Sequence, residues 1–395
     1  MASSTLIQKP EVLAPAGNLH KLQVAVRYGA DAVYMAGPQF GLRQGADNLT
    51  HAELEQAVRF CHSYGAKAYV VLNGFLFQKE LQALPDFVQF LSELRVDAVI
   101  ASDLGVVSTV LEHSSIPVHI STQASVFNAQ HTAFWAEMGA KRVILARETS
   151  ISDAAKIKEI SGLEVELFVH GSMCMAFSGR CTISNFTAGR DSNRGGCEHS
   201  CRLPYQLNDS ADARTYFSSK DLNGLTLVPE LVEHGIDSLK IEGRMKSALY
   251  VASTVLAYQS ACKSALANGT FEDPHFLLDG FSHRPYTAKP LLGLLDADTA
   301  HFQEQGREPT RFALAGHVLE QAGDRVLCQA KVALHADSRV EALGFAGDII
   351  PLDWDGVTDV LGRPVQKVQP NQMFTVRQSQ LQALMVLRLS DATRV

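Results

Sequence analysis

Between residues 11 and 266, short β-branched runs alternate with longer amphipathic stretches, and the alternation repeats eight times. Strands are expected at 12–14, 31–36, 67–72, 98–102, 117–121, 142–146, 164–169 and 238–241. Helical patterns follow them at 18–28, 51–64, 80–94, 105–112, 130–138, 152–160 and 247–266, with the seventh helix replaced by an insertion. Sequential strands separated by helices build a parallel sheet, because each parallel pairing needs a crossover. Eight such units favour closure into a (β/α)8 barrel; a doubly wound open sheet is the alternative, since periodicity does not report closure. Asn18 is placed to cap the first helix, and Ser150 to Asp153 form a similar polar entry to the sixth.

The chain has 395 residues, 46% of them apolar, enough for a large domain spanning 1–270 and a small one. Residues 271–310 read as a connector containing Pro274, Gly280, Pro285, Pro290 and an acidic stretch to Arg307. From 311 to 395 the pattern changes to short strands, at 312–319, 325–333, 338–343, 365–368 and 372–377, which suggest a small β-barrel. That region carries no nucleophile or metal motif and suits an RNA-positioning module or a stabilising cap. No apolar run reaches the length of a membrane span, and the first residues lack a basic segment followed by an apolar one, so a cytoplasmic protein is expected. The net charge of −7 gives no global attraction to nucleic acid, although a local patch can suffice.

The chemistry concentrates in the insertion. Of seven cysteines, four fall between His170 and Tyr205: Cys174, Cys181, Cys197 and Cys201. Four thiols can close every position around one inorganic centre. Two disulfides would need an oxidising compartment. Zinc modules usually pair their ligands on close knuckles, and here only Cys197 and Cys201 are close. An iron–sulfur cluster is the favoured reading and a structural zinc the alternative. The same segment holds Arg180, Arg190, Arg194 and Arg202 against Asp191 and Glu198, either an anion-binding surface or a solvated loop.

In a barrel the active face lies at the strand C-termini. Asn73, Asp103, Ser121, Gln123, Arg147, Glu148, His170, Glu242 and Arg244 all fall there, and Cys174 follows His170 by four residues. Lys240, Glu242 and Arg244 alternate, so they are expected to share an inward face, as ligands of a carboxylate or phosphate or as an internal ion pair. No zinc-protease helix, nucleophile elbow or phosphate loop is present. A peptidase built on His170 and Cys174 would leave three thiols without a purpose.

The segments LAPAGNLHKLQVAVRYGADAVYMAG, VHGSMCMAFSGRC, GGCEHSCRLPY, SSKDLNGL and SLKIEGRMKS resemble the collagenase-like peptidase family, and within it the branch of prephenate-dependent tRNA uridine hydroxylases. The resemblance covers most of residues 11–268. It implies a barrel, oxygen-independent hydroxylation of the wobble uridine to 5-hydroxyuridine, prephenate as co-substrate and a [4Fe-4S] cluster on Cys174, Cys181, Cys197 and Cys201. Arg147, His170, Lys240, Glu242 and Arg244 are the candidate catalytic residues. tRNA is the expected partner, with iron–sulfur assembly proteins delivering the cluster. Other branches act on ribosomal RNA or ubiquinone precursors. The ubiquinone branch has a distant last cysteine that this chain lacks, and the ribosomal branch is longer. In HRPYTAKPLLG, Ala288–Lys289 stands where family members commonly place a glycine after the threonine.

Overall fold

The computed structural model describes residues 8–42, 47–208, 213–267, 271, 273–296 and 310–390. The eight expected strand–helix units close into a parallel barrel. Strand β1 (Glu11–Pro15) is followed by α1 (Leu19–Arg27), β2 (Ala32–Met35), α2 (His51–Ser63), β3 (Lys67–Leu72), α3 (Gln78–Leu81), α4 (Leu84–Leu94), β4 (Ala98–Ala101) and α5 (Leu104–His113). Then come β5 (Val118–Ile120), α6 (Ala129–Glu137), β6 (Arg142–Ile144), α7 (Ile151–Ser161) and β7 (Glu164–Ser172). The seventh crossover contains α8 (Ile183–Ala188), β8 (Asp221–Asn223) and α9 (Val228–Glu233) before β9 (Ser238–Ile241) and α10 (Ala248–Leu266). Strand β9 pairs in parallel with both β1 and β7, which closes the ring.

Helix starts follow local chemistry. Asn18 Oδ1 accepts from Lys21 N at 3.0 Å, Asp103 from Gly105 N at 2.7 Å and Ser150 Oγ from Asp153 N at 3.1 Å. Thr50 and Glu53 form a reciprocal capping box at α2. One expectation needs correction. The insertion does not replace the seventh helix; it precedes it, and a short α9 still covers the barrel before β9. Pro229 at its start and the apolar Val228, Leu231 and Val232 specify it, but six residues are too few for a visible period.

The connector contributes β10 (Tyr286–Thr287), which pairs with β8; its stretch 297–309 lies outside the described residues. The C-terminal unit comprises β11 (Phe312–Ala322), β12 (Arg325–Ala330), β13 (Leu334–His335), β14 (Val340–Leu343), β15 (Ile349–Pro351), β16 (Lys367–Val368), β17 (Met373–Arg377) and β18 (Val386–Ser390). Six of these form an antiparallel sheet in the order β15-β14-β18-β11-β12-β17, over a core including Cys328, Phe374 and Leu387. Strand β18 was not expected from sequence. It sits centrally and runs only five residues, with the charged Arg388 buried in its middle, so the pattern is too short to mark it. This unit docks on α10 and α1: Tyr28 Oη donates to Leu343 O at 2.6 Å and accepts from Val386 N at 3.0 Å.

Inside the barrel lies a set of buried charges. Arg142 Nη1 donates to Glu11 Oε1 at 2.6 Å and to Glu166 Oε2 at 3.1 Å, and Lys240 Nζ donates to Glu166 Oε1 at 2.7 Å. Tyr69 Oη and Ser238 Oγ also donate to Glu11. Burial alone would raise the Glu11 pKa, but Arg142 and the hydroxyl of Tyr69 outweigh it and hold it at about 2 against an ordinary 4.5. A carboxylate with a depressed folded pKa stabilises the fold above its unfolded value and loses that contribution as pH falls through the folded one. Glu11→Gln is therefore expected to cost about 3–5 kcal/mol near neutrality. The gap to wild type should shrink between pH 4.5 and about 2. Urea denaturation across that range measures it; a constant gap would refute the assignment.

Candidate active site

The chain leaves β7 and crosses the C-terminal mouth of the barrel, carrying the four cysteines. Ser178 is its anchor. Its backbone N–H and Oγ donate to Glu148 at 3.1 and 3.0 Å, its Oγ accepts from Arg147 N at 3.1 Å, and its carbonyl accepts from Ser125 Oγ at 2.7 Å. Arg202 and Ser219 both donate to Met173 O, at 2.8 and 2.6 Å. Asn193 Nδ2 donates to Cys181 O at 3.1 Å, and Arg194 bridges to Phe75 O and to Glu80 at 3.0 Å. Gly179 has φ +79°, and a Cβ there would stand 2.3 Å from Gln123 O, so only glycine lets the loop sit this close to the turn after β5.

The loop and the strand ends enclose one cavity. All four cysteines line it, with Tyr34, Asn73, Ser121, Gln123, Phe168 and the candidates Arg147, Lys240, Glu242 and Arg244. The Arg147 guanidinium lies 4.0 Å from the Phe168 ring centroid, and its buried Nε meets no acceptor. Among the described residues Arg147 makes no ion pair, so it is not neutralised by Glu148, which is spent on Ser178. Lys240 stands 4.1 Å from the Tyr34 ring centroid; burial lowers its pKa while Glu166 opposes that fall. The Glu242 backbone is held by Tyr250 Oη at 2.5 Å, but its half-buried carboxylate has no donor among the described residues. Arg244 is committed elsewhere: it donates to Leu42 O at 2.9 Å and to Asn48 Oδ1, tying the strand end to the segment before α2.

His170 is not part of this cavity. It packs among Tyr250, Tyr258, Phe281 and Tyr286, with ring centroids 5.5–6.4 Å away, on the side facing α10. Burial drives its pKa down to about 3, so the ring is neutral. The cause of the displacement is a bulge. Phe168 pairs with Lys240 and His170 with Ile241, so β7 gains one residue on β9 between them. Glu166 and Phe168 point inward, and the extra residue turns His170 outward. A His170–Cys174 catalytic pair is therefore not formed. Asp103 also leaves the expected set, because its carboxylate caps α5. Tyr34 and Phe168 are the lining residues that sequence reading missed; both lie in apolar strand runs and differ in no visible way from core aromatics.

The donor set constrains what the cysteines can hold. Cys174 is exposed and Cys181, Cys197 and Cys201 are half-buried, none in a disulfide. Among the described residues no three His, Cys, Asp or Glu side chains converge on a single ion. One zinc at about 2.3 Å from each sulfur would draw four thiolates to roughly 4 Å of one another. A multi-iron core is larger and takes a wider ring of thiolates; all four thiols line the one cavity.

The mouth of the (β/α)8 barrel gathers four thiols beside Glu242 and Arg147, which makes no ion pair among the described residues. The chain belongs to peptidase family U32, whose model matches residues 17–294. It is 44% identical over 275 residues to tRNA hydroxylation protein P1 of Bacillus subtilis, covering 67% of this chain and 65% of that protein. It is 33% identical over 333 residues to tRNA hydroxylation protein P of Escherichia coli, covering 71% and 74%. It is also 35% identical over 254 residues to the 23S rRNA 5-hydroxycytidine C2501 synthase of E. coli, covering 63% and 38%. The chain thus spans slightly less than two thirds of the length of the B. subtilis relative.

The loop geometry has a direct chemical readout. In protein freed of bound metal, Cys174, Cys181 and Cys197 should react with an aromatic disulfide reagent under native conditions, and Cys201, whose thiol pKa is pushed up to about 11 by burial, more slowly. Cys61, Cys262 and Cys328, fully buried and with pKa values pushed up to about 12 by burial, should react only after denaturation. Seven thiols reacting together would contradict the placement.

Proposed function

We propose that this protein hydroxylates the wobble uridine of tRNA to 5-hydroxyuridine in the cytoplasm, with prephenate as hydroxyl donor and a [4Fe-4S] cluster at the barrel mouth. The observation that carries the reading is the convergence of four unbridged thiols, an unpaired arginine and an unpaired glutamate on one cavity. Names of relatives at 33–44% identity support RNA hydroxylation as the reaction class. Cys174, Cys181, Cys197 and Cys201 would hold the cluster, whose role when bound is to supply redox or Lewis-acid chemistry next to the base. Iron–sulfur assembly proteins would load it. Among the described residues no helix is long and apolar enough to cross a membrane.

The chain's own residues divide the remaining work. Arg147 is pre-positioned: its backbone N–H is fixed by Ser178 and its guanidinium rests on Phe168, leaving nitrogen atoms to grip a carboxylate of the donor. Lys240 places a second cation deeper in the cavity, braced by Glu166. Installing the hydroxyl forms a C5–O bond and breaks the donor's C–O bond, whose electron pair stays with the donor; Glu242 is the group suited to accept the proton that leaves C5. Tyr34 and Phe168 give the cavity apolar walls that favour a desolvated base. Arg244 acts through structure, holding the rim together.

Three measurements test this. Anaerobically purified protein should be brown, with about four irons and four sulfides per chain; a colourless zinc protein would overturn the cluster assignment. In a strain lacking tRNA 5-hydroxyuridine, nucleoside mass spectrometry should show the modification restored by wild type and absent with Cys174→Ser. Arg147→Lys should keep the cluster but lose about tenfold or more in activity, one charge-assisted hydrogen bond being worth roughly 1.5–3 kcal/mol. Arg244→Lys should instead lower the melting temperature. Normal prephenate binding by Arg147→Lys would remove the clamp role.

A further inference from the structure

Beside the cysteine cavity lies a second pocket of about 660 Å3, within the roughly 300–1,000 Å3 range of small-molecule sites. The two share Gln123, Gly179 and Asn193 as a common wall. The floor of the second pocket includes Trp135, whose indole is 3% exposed and whose Nε1–H is buried without an acceptor. Trp135 thus sits behind the pocket wall as a buried aromatic, and the accessible aromatic surface comes from the half-buried Phe75. Leu104 adds an apolar surface, 52% exposed at the first position of α5. The Gln123 side-chain amide and the exposed Arg180 guanidinium have no polar partners among the described residues.

We infer that this pocket holds the base of the nucleotide adjacent to the one that reacts, with Arg180 at the rim against the intervening phosphate. The inference rests on the RNA-hydroxylase reading of the neighbouring cavity. Its chemistry is that of a flat heterocycle rather than a small acid. Phe75 and Leu104 supply apolar surface for a ring to lie on, while the Gln123 carboxamide supplies edge contacts. The Asp103 carboxylate, also in the lining, disfavours a second anionic co-substrate. Gln123 faces both pockets, so reading the neighbour and seating the target base are mechanically linked. A base extruded into one cavity leaves its neighbour unstacked, and the second pocket restores that lost stacking.

The test uses the intact, cluster-loaded protein and a short tRNA anticodon stem–loop, either complete or abasic at the nucleotide before or after the target uridine. The chain has two tryptophans, Trp135 and Trp354, and Trp354 lies in the C-terminal unit. In a Trp354→Phe background, fluorescence therefore reports Trp135 alone. The complete stem–loop should change that fluorescence, and one of the two abasic RNAs should fail to. That abasic RNA should also show a KM raised about ten- to hundredfold with kcat nearly unchanged, the scale of one lost stacking contact. Arg180→Ala and Leu104→Glu, both at exposed positions, should raise KM for the complete RNA; Leu104→Glu should hardly matter for the affected abasic RNA. If all three RNAs are hydroxylated with equal KM and no Trp135 response, the pocket assignment is wrong and the hydroxylase reading stands. If no stem–loop binds or reacts, both fall.

Discussion

Everything at the mouth of this barrel stands on four charges buried inside it. Glu11 on β1, Arg142 on β6, Glu166 on β7 and Lys240 on β9 form an alternating, electrically neutral set. Removing such ions from water is costly, and their pairing repays it only when every strand is in register. A slip of one residue on β7 or β9 would turn Glu166 or Lys240 out of the lumen and strand its partner in an apolar interior. Ser238 pairs in register with both Glu11 and Glu166, so it marks the point where the ring closes. The set thus favours one register over a fluid apolar packing, and that register decides which residues reach the mouth two positions further along each strand.

The active-site cations inherit their positions from this arrangement. Lys240 is both the end of the buried set and the floor of the cavity, so a stabilising ion pair also fixes a functional group. Above it, the cysteine loop has almost no regular structure of its own. It is held where Ser178 donates to Glu148 and accepts from Ser125, and where Met173 O, just before Cys174, accepts from Arg202 and Ser219. These contacts fix the loop just before Cys174 and midway between Cys174 and Cys181. Two pockets share the wall that this loop and the turn after β5 create together.

The eight strand–helix units were legible in sequence because burial on both faces of a parallel strand leaves a continuous apolar run, and because Asn18 and Ser150 announce their helices through capping hydrogen bonds. The four cysteines were legible because their residue type and crowding are rare. Less visible were α9, too short for a period, and β18, five residues with Arg388 buried in their middle. Tyr34, Phe168 and Trp135 could not be separated from core aromatics, since an apolar side chain gives the same signal whether it faces a cavity or a neighbour.

Closure of the sheet into a barrel was decided by the pairing of β9 with both β1 and β7, whereas sequence alone determined the eight alternating units, the thiol set and its location after the seventh strand. Those properties are local: periodicity, caps and residue type act over a few positions. Tertiary structure decided the division of labour among the candidates. His170 is two residues beyond Phe168 and by alternation belongs in the cavity, yet one extra residue on β7 against β9 turns it into an aromatic box. Arg147 and Arg244 are the same residue type at equivalent rims, yet one is unpaired over Phe168 and the other is spent on Leu42 and Asn48. Which of two like groups remains free depends on partners distant in the chain, and only the closed barrel brings those partners within hydrogen-bond range.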